Sequence, residues 1–153
     1  MIDERNAERI TDWIAEATHA GATLLTGGGR SGTQVEPALL TDVPASVALG
    51  SKEAFAPVLV VARYDDLDEG FGLVNGSRYG LQAGIFTTRL DVAFRAHREL
   101  VVGGVIVGDV PSFRADQMPY GGWKASGTGR EGVASAMVDL TDERILVLTG
   151  LAL

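Results

Sequence analysis

The feature that most constrains the fold is a continuous apolar run at residues 58–62, with the sequence Val-Leu-Val-Val-Ala. A strand with one face in water alternates apolar and polar residues, whereas a strand covered on both faces in a parallel sheet is apolar throughout. Periodicity predicts further strands at residues 22–26, 35–40, 81–87, 101–107 and 143–149, and extended chain at residues 46–50. It predicts helices at residues 3–20, 66–74, 90–100 and about 128–140, the first with Asp3 as its N-cap. This order predicts an α/β fold with a largely parallel sheet and flanking helices.

Composition limits the classes of partner and compartment. The chain has 153 residues, 46% of them hydrophobic and 22% charged, which suits one compact globular domain. Its formal net charge is −7 and its basic residues form no cluster, so neither a nucleic acid nor an anionic membrane is expected as a partner. The N-terminal residues do not resemble a signal peptide, and no apolar run is long enough to span a bilayer. We therefore expect a soluble, cytoplasmic protein.

The absence of cysteine excludes several kinds of site within the chain. Disulfides, thiolate zinc sites and a cysteine nucleophile all need a residue type that the sequence does not contain. The two histidines, His19 and His97, are too few for a histidine-rich metal site. No metal site is therefore expected.

A glycine-rich stretch at residues 118–132 contains the spacing Gly127-x-Gly129-x-x-Gly132, which formally matches the dinucleotide-binding fingerprint. That fingerprint requires a hydrophobic strand directly before its first glycine, and here a polar loop precedes it. It also requires a later strand with an acidic residue about 20 positions on, near which the sequence ends. We interpret the stretch as a loop that leads into a helix.

Several motifs follow one another in a fixed order along nearly the whole chain. They include Glu36-Pro37-x-Leu39-Leu40-Thr41-Asp42-Val43, Glu53-x-Phe55-x-Pro57-Val58-Leu59, Asn75-x-Ser77-x-Tyr79-Gly80-Leu81-Gln82-Ala83-Gly84, Gly103-Gly104-Val105-x-Val107-x-Asp109 and Pro119-Tyr120-Gly121-Gly122-x-Lys124-x-Ser126-Gly127-x-Gly129-Arg130-Glu131-Gly132. Together they resemble the aldehyde dehydrogenase superfamily. Each motif is weak alone, but their shared order is specific.

The resemblance implies the C-terminal part of an aldehyde dehydrogenase catalytic domain. Enzymes of this family oxidise aldehydes to carboxylic acids with NAD or NADP through a cysteine thiolate. Their cofactor domain, nucleophile and general-base glutamate precede the region that matches this chain. The implied division is a partial catalytic domain at residues 1–140 and, at residues 141–153, a C-terminal strand resembling an oligomerisation segment. No catalytic residue is expected in this chain, which is predicted to be inactive alone.

Three residues match binding positions of the family. Glu53 matches the glutamate that hydrogen-bonds the ribose beside the nicotinamide, and Phe55 matches the aromatic residue that packs beside the nicotinamide ring. Phe113 lies in the loop that helps to line the aldehyde tunnel. The cofactor is therefore NAD or NADP in the complete enzyme, with no tight binding expected to this chain alone. The structural alternative is a solvated loop carboxylate for Glu53 and ordinary packing for Phe55 and Phe113.

Two other functions remain open at this point. The chain could be a non-catalytic truncated homologue that acts as an oligomerising interaction module, with homo-oligomers formed through the C-terminal strand. That strand is apolar on both faces, and such an edge needs a partner sheet. A small nucleotide-binding domain is the third alternative, which the failed fingerprint disfavours.

Overall fold

The computed structural model describes residues 1–150, which belong to two compact units, Met1–Gly70 and Phe71–Leu153. The first unit contains α1 (Glu4–His19), β1 (Thr23–Thr26), β2 (Arg30–Ser31), β3 (Gln34–Val35), β4 (Ala38–Thr41), α2 (Ala48–Ser51) and β5 (Val58–Val61). Helix α3 (Leu67–Gly76) runs across the boundary. The second unit continues with β6 (Tyr79–Gly80), β7 (Gln82–Ile85), α4 (Leu90–Glu99), β8 (Gly104–Val107), β9 (Trp123–Lys124) and α5 (Val133–Asp139). None of the helices in this part of the chain is long and apolar enough to cross a membrane.

Helix α1 begins where the sequence predicts, at an aspartate cap. Asp3 has extended backbone, and its carboxylate accepts a hydrogen bond from the Asn6 amide at 2.7 Å. This bond and a second one from the Asn6 side chain hold the pKa of Asp3 below its usual range, because both stabilise the ionised form. Ile10 and Ile14 recur at helical spacing and are buried, which fixes the face that packs on the core.

The core of the first unit lies between α1 and one face of a three-stranded sheet. The strand order is β1-β4-β5, with β4 antiparallel to β1 and parallel to β5. Ala38 and Leu40 of β4 are buried, and the intervening Leu39 is half-buried, so alternate residues face the core. The buried core residues of this unit are Ile10, Ile14, Ala17, Ala22, Ala38, Leu40, Val47 and Leu49.

The expectation that the apolar run is covered on both faces is wrong for this chain. In β5, Val58 is half-buried against the core, but Leu59, Val60 and Val61 are exposed, Leu59 by 61%. Successive side chains of a strand point to opposite faces, and the core lies on one face only. The sequence pattern correctly predicts the strand but not the exposure of three of its four residues.

The sheets are mixed, so the prediction of a largely parallel sheet is also wrong. Strands β4 and β5 are parallel, as are β7 and β8, whose register runs from Gln82 opposite Gly104 to Ile85 opposite Val107. The pairs β1–β4, β2–β3 and β6–β9 are antiparallel. Apolar runs identify strands, but pairing direction depends on the connections between them.

Four local predictions need correction. Residues 46–50, expected to be extended, include the start of the short helix α2. The strand expected at residues 35–40 is divided into β3 and β4, because Pro37 has no amide hydrogen for a ladder. The last helix begins at Val133, after Gly127, Gly129 and Gly132 adopt positive φ. Residues 141–150 contain no strand, and residues 151–153 of the predicted C-terminal segment lie outside the described residues.

Candidate functional site

The loop at residues 52–57, between α2 and β5, carries both predicted cofactor-contact residues. Glu53 and Phe55 are exposed, whereas Ala54 and Ala56 are half-buried and pack against the core of the first unit. The methyl groups of Ala54 and Ala56 thus anchor the loop on the core of the first unit. It presents the carboxylate and the aromatic ring to the outside.

Phe55 has an unusual backbone conformation. Its φ is 48°, in the left-handed region that residues with a Cβ rarely adopt, and the residue is 78% exposed. The conformation costs about 1–2 kcal/mol relative to ordinary backbone, and an exposed ring gains little from burial in return. Strain of this kind persists where the surrounding structure imposes it and is concentrated at functional sites.

Both ends of this loop are held by backbone hydrogen bonds. The amide of Lys52 donates to the carbonyl of Ala48 at 2.8 Å, which ends α2. The amide of Ala38 donates to the carbonyl of Pro57 at 2.9 Å, which ties the loop to the first residue of β4. The loop is therefore a short bridge between two fixed points.

A cationic and aromatic cluster on α1 contacts the same loop. The Arg9 guanidinium donates to the Ala54 carbonyl at 2.8 Å, and its carbon lies 4.5 Å from the centre of the Trp13 ring. The Lys52 ammonium lies 5.8 Å from the centre of that ring. Neither Arg9 nor Trp13 is among the site residues that the sequence predicts. The available signal is their spacing, since residues four apart on a helix are neighbours.

Phe113, the predicted tunnel residue, belongs to the second unit and is described there by itself. It lies between β8 and β9, where its amide donates to the Val110 carbonyl at 3.1 Å. Its own carbonyl accepts a hydrogen bond from the Gln82 side chain at 3.0 Å, while its ring is exposed. The structure thus brings Glu53 and Phe55 together on one loop and fixes the backbone of Phe113 separately.

The glycine-rich stretch provides polar contacts within the second unit. The Lys124 ammonium donates to the carbonyls of Asn75 and Ser77, both at 3.0 Å, at the end of α3. Lysine donors that bind terminal carbonyls satisfy acceptors that a helix leaves unpaired. The strand that carries Lys124 pairs with β6, so this contact joins the two strands to the helix end.

Two further charged residues of this stretch bind within the same unit. Arg130 donates to the carbonyls of Gly122 and Gly129, at 3.1 and 2.7 Å. The Glu131 carboxylate accepts from Arg114 at 3.1 Å, and the Glu131 amide donates to the Tyr120 carbonyl. Lys124, Arg130 and Glu131 therefore all make structural polar contacts within the second unit. About half of residues 118–132 are exposed, and Gly122 is the one buried residue among them.

Comparison with known proteins gives consistent matches over nearly the whole chain. The family model described as "Aldehyde dehydrogenase family" matches residues 1–146. The chain is 46% identical over 148 residues to the 3-sulfolactaldehyde dehydrogenase of Priestia megaterium, a match that covers 97% of this chain and 31% of that protein.

Two solved structures show the same fold. Aldehyde dehydrogenase 21 from Physcomitrella patens, in complex with the reaction product succinate, matches with a TM-score of 0.92 and 45% identity over 97% of this chain and 31% of its own. Glyceraldehyde-3-phosphate dehydrogenase GapN from Methanocaldococcus jannaschii, complexed with NADP, matches with a TM-score of 0.85 and 35% identity over 93% of this chain and 31% of its own. The predicted α/β class is therefore confirmed. The chain spans slightly less than a third of the length of these relatives. By its sequence and its fold, the chain belongs to the aldehyde dehydrogenase family.

Proposed function

We propose that this chain is the C-terminal part of the catalytic domain of an NAD- or NADP-dependent aldehyde dehydrogenase. In the complete enzyme, such a domain takes part in oxidising an aldehyde to a carboxylic acid. The observation that carries the proposal is the loop at residues 52–57, which holds an exposed carboxylate beside an exposed, strained aromatic residue. The family match and the short span relative to the relatives support it.

In this proposal, Glu53 and Phe55 bind the nicotinamide end of the cofactor. An ionised carboxylate has two acceptor oxygens, so Glu53 can accept hydrogen bonds from both hydroxyls of a ribose. The Phe55 ring offers a flat apolar face to the adjacent nicotinamide ring. The cofactor would supply hydride acceptance, while these two residues bind and orient it. Phe113 would line the path of the aldehyde.

The chain alone is proposed to be inactive. The family reaction requires a thiolate nucleophile, and the sequence contains no cysteine. Tight binding of NAD or NADP to this chain alone is not expected, since the rest of the cofactor site would come from other parts of the enzyme. The proposed activity therefore belongs to the complete protein.

A chimera tests this proposal directly. We suggest replacing the matching 31% of the Priestia megaterium 3-sulfolactaldehyde dehydrogenase with this chain and measuring reduction of NAD and NADP with the aldehyde. We expect a folded, active chimera. In that background, Glu53→Gln should raise the cofactor KM by about tenfold or more, because a hydrogen bond to a charged group is worth ~1.5–3 kcal/mol.

The matched control for this variant is Glu8→Gln, which removes one carboxylate from the exposed face of α1. It should leave the cofactor KM unchanged. A folded chimera without activity would contradict the proposed function. Equal cofactor KM values for Glu53→Gln and Glu8→Gln would contradict the role of Glu53.

A second candidate, an oligomerising module, is favoured by the apolar C-terminal segment. Ile145, Leu146, Val147 and Leu148 are each at least 66% exposed. Burying such side chains against a second copy would remove apolar surface from water, at about 25 cal/mol per Å². Sedimentation of the chain with and without residues 141–153 tests this role. A concentration-dependent dimer that disappears on truncation supports it, and a monomer at all concentrations contradicts it.

A further inference from the structure

We propose that Arg9 is a positioning residue that fixes the loop at residues 52–57 by binding the Ala54 carbonyl. This inference deepens the proposed function, because the loop carries both residues assigned to the cofactor. Arg9 itself lies on α1, 45 positions from its acceptor. It acts on the loop through the backbone.

The choice of acceptor determines what the contact controls. The Ala54 carbonyl belongs to the peptide plane that joins Ala54 to Phe55, and rotation of this plane sets φ of Phe55. The Arg9 bond, 2.8 Å long and partly buried, therefore holds the plane whose orientation places Phe55 at φ 48°. A charge-assisted bond is shorter and stronger than one between neutral groups, and it can balance the strain of a left-handed residue.

Trp13 orients the guanidinium that makes this bond. The guanidinium carbon Cζ of Arg9 lies 4.5 Å from the centre of the Trp13 ring, within the range of a cation–π contact. The two residues are four apart on α1, and Ile10 and Ile14 of the same helix are buried in the core. A planar guanidinium stacked on a fixed ring loses little freedom when it binds, so the donor is in place before any ligand arrives.

The first residue of the loop contacts the same ring. The Lys52 ammonium lies 5.8 Å from the centre of the Trp13 ring. The Trp13 side chain therefore contacts the start of the loop directly and the middle of the loop through Arg9. Ala54 and Ala56 offer only methyl groups to the core, which provide little area to hold a strained turn. The polar and aromatic contacts of Arg9 therefore fix the loop where packing is weakest.

Nuclear magnetic resonance of the full chain tests the inference without any cofactor. We would compare wild type with Arg9→Gln and Arg9→Lys, using the carbon shifts of Ala54 and Phe55 as reporters of φ and the heteronuclear relaxation of residues 53–56 as a reporter of motion. Arg9→Gln should raise the population of loop conformers without the left-handed Phe55 by about tenfold. Arg9→Lys keeps the charge but not the planar fork and should show a smaller change.

The matched control is Arg5→Gln, which removes the same charge one turn earlier on α1 from an exposed position. It should leave the loop signals unchanged. Trp13→Leu should loosen the loop in the same direction as Arg9→Gln, and it replaces that variant if Arg9→Gln does not fold. Unchanged Phe55 shifts and relaxation in the folded Arg9 and Trp13 variants would overturn the inference.

The chimera described above separates this inference from the proposed function. The Arg9→Gln variant is measured both in the chain, by the loop signals, and in the chimera, by the KM values. If Arg9→Gln loosens the loop, raises the cofactor KM about tenfold and leaves the aldehyde KM unchanged, the result supports both the inference and the proposed function. A loosened loop with an unchanged cofactor KM supports the positioning role of Arg9 and contradicts the cofactor role of the loop. A raised cofactor KM with unchanged loop signals would mean that Arg9 acts by another route, and this result overturns the inference.

Discussion

Gly103 and Gly104 allow a sharp test of how the second unit is assembled. A Cβ added to Gly103 would lie 1.7 Å from the Gly121 carbonyl oxygen and 2.9 Å from the Leu81 carbonyl oxygen, both backbone atoms. A Cβ added to Gly104 would lie 3.3 Å from a side-chain carbon of Gln82, and its nearest neighbours include no backbone atom. Neither glycine has positive φ, so the same substitution at the two positions differs in the neighbouring atoms and not in backbone strain.

The expected difference follows from these distances. At Gly103 the Cβ is about 1.3 Å closer than the 3.0 Å that real Cβ atoms keep from other heavy atoms, so the Gly121 backbone must move. Overpacking of this kind costs about 1–3 kcal/mol. Displacing Gly121 also disturbs the nearby β6–β9 pairing and the 3.0 Å bond from the Gly80 amide to Ser126, at about 1 kcal/mol for each lost hydrogen bond. We therefore expect Gly103→Ala to lower the free energy of unfolding by ~3–5 kcal/mol.

Gly104→Ala should change that free energy by less than ~1 kcal/mol, because an alanine in a strand gains slightly from lower backbone entropy in the unfolded state. The assay is urea unfolding in a Trp13→Phe background, where Trp123 in β9 is the remaining tryptophan and can be excited selectively. Equal unfolding free energies for the two variants would refute the argument that the Gly121 backbone lies against Gly103.

Two further predictions concern the first unit. Leu40→Ala removes a fully buried side chain from the central strand β4 and should lower the free energy of unfolding by ~2–5 kcal/mol. Leu59→Ala, on the exposed face of β5, should lower it by less than ~1 kcal/mol. Similar losses for the two variants in urea unfolding would contradict a core on one face of the sheet. Asp3→Asn should be less stable than wild type at neutral pH, since the lowered pKa of Asp3 means that its ionised form stabilises the folded state. This stabilisation is complete above the ordinary aspartate pKa and is lost as the pH falls through the lowered pKa, so the two proteins should converge in acid; a constant difference in unfolding free energy with pH would contradict the assignment.

Much of the secondary structure could be predicted from periodicity, but strand pairing could not. The apolar spacing of Ile10 and Ile14 and the cap at Asp3 define α1, because each signal is local in sequence. The direction in which β1 meets β4 depends on a connection through the hairpin of β2 and β3, which hydrophobicity does not encode. Gly103 precedes β8 and Gly104 begins it; paired glycines in a strand region indicate a bulge or a close approach of another backbone, and the distance at Gly103 agrees with a close approach.

The candidate site was only partly predictable, for a related reason. Glu53 and Phe55 are separated by one residue, Ala54, so a short motif can identify them together. The contact of Arg9 with the Ala54 carbonyl joins positions that are 45 residues apart. Its acceptor is a backbone carbonyl, a group that every residue carries, so the identity of residue 54 does not reveal the contact. The positive φ of Phe55 is also invisible in sequence, since it arises from these tertiary contacts and opposes the preference of the residue.

The exposed face of β5 has a consequence for how the register between β5 and β4 is fixed. In most half-buried strands, a slip by one residue moves polar side chains into the core, and this penalty fixes the alignment. In β5 every residue from Val58 to Val61 is aliphatic, so a slip would exchange one aliphatic side chain for another. The alignment with β4 must then come from the bridge at residues 52–57, which is tied at Ala48 and at Ala38. The length of that bridge then sets the alignment: the segment that presents Glu53 and Phe55 also determines that Val58 is the residue of β5 that packs against the core.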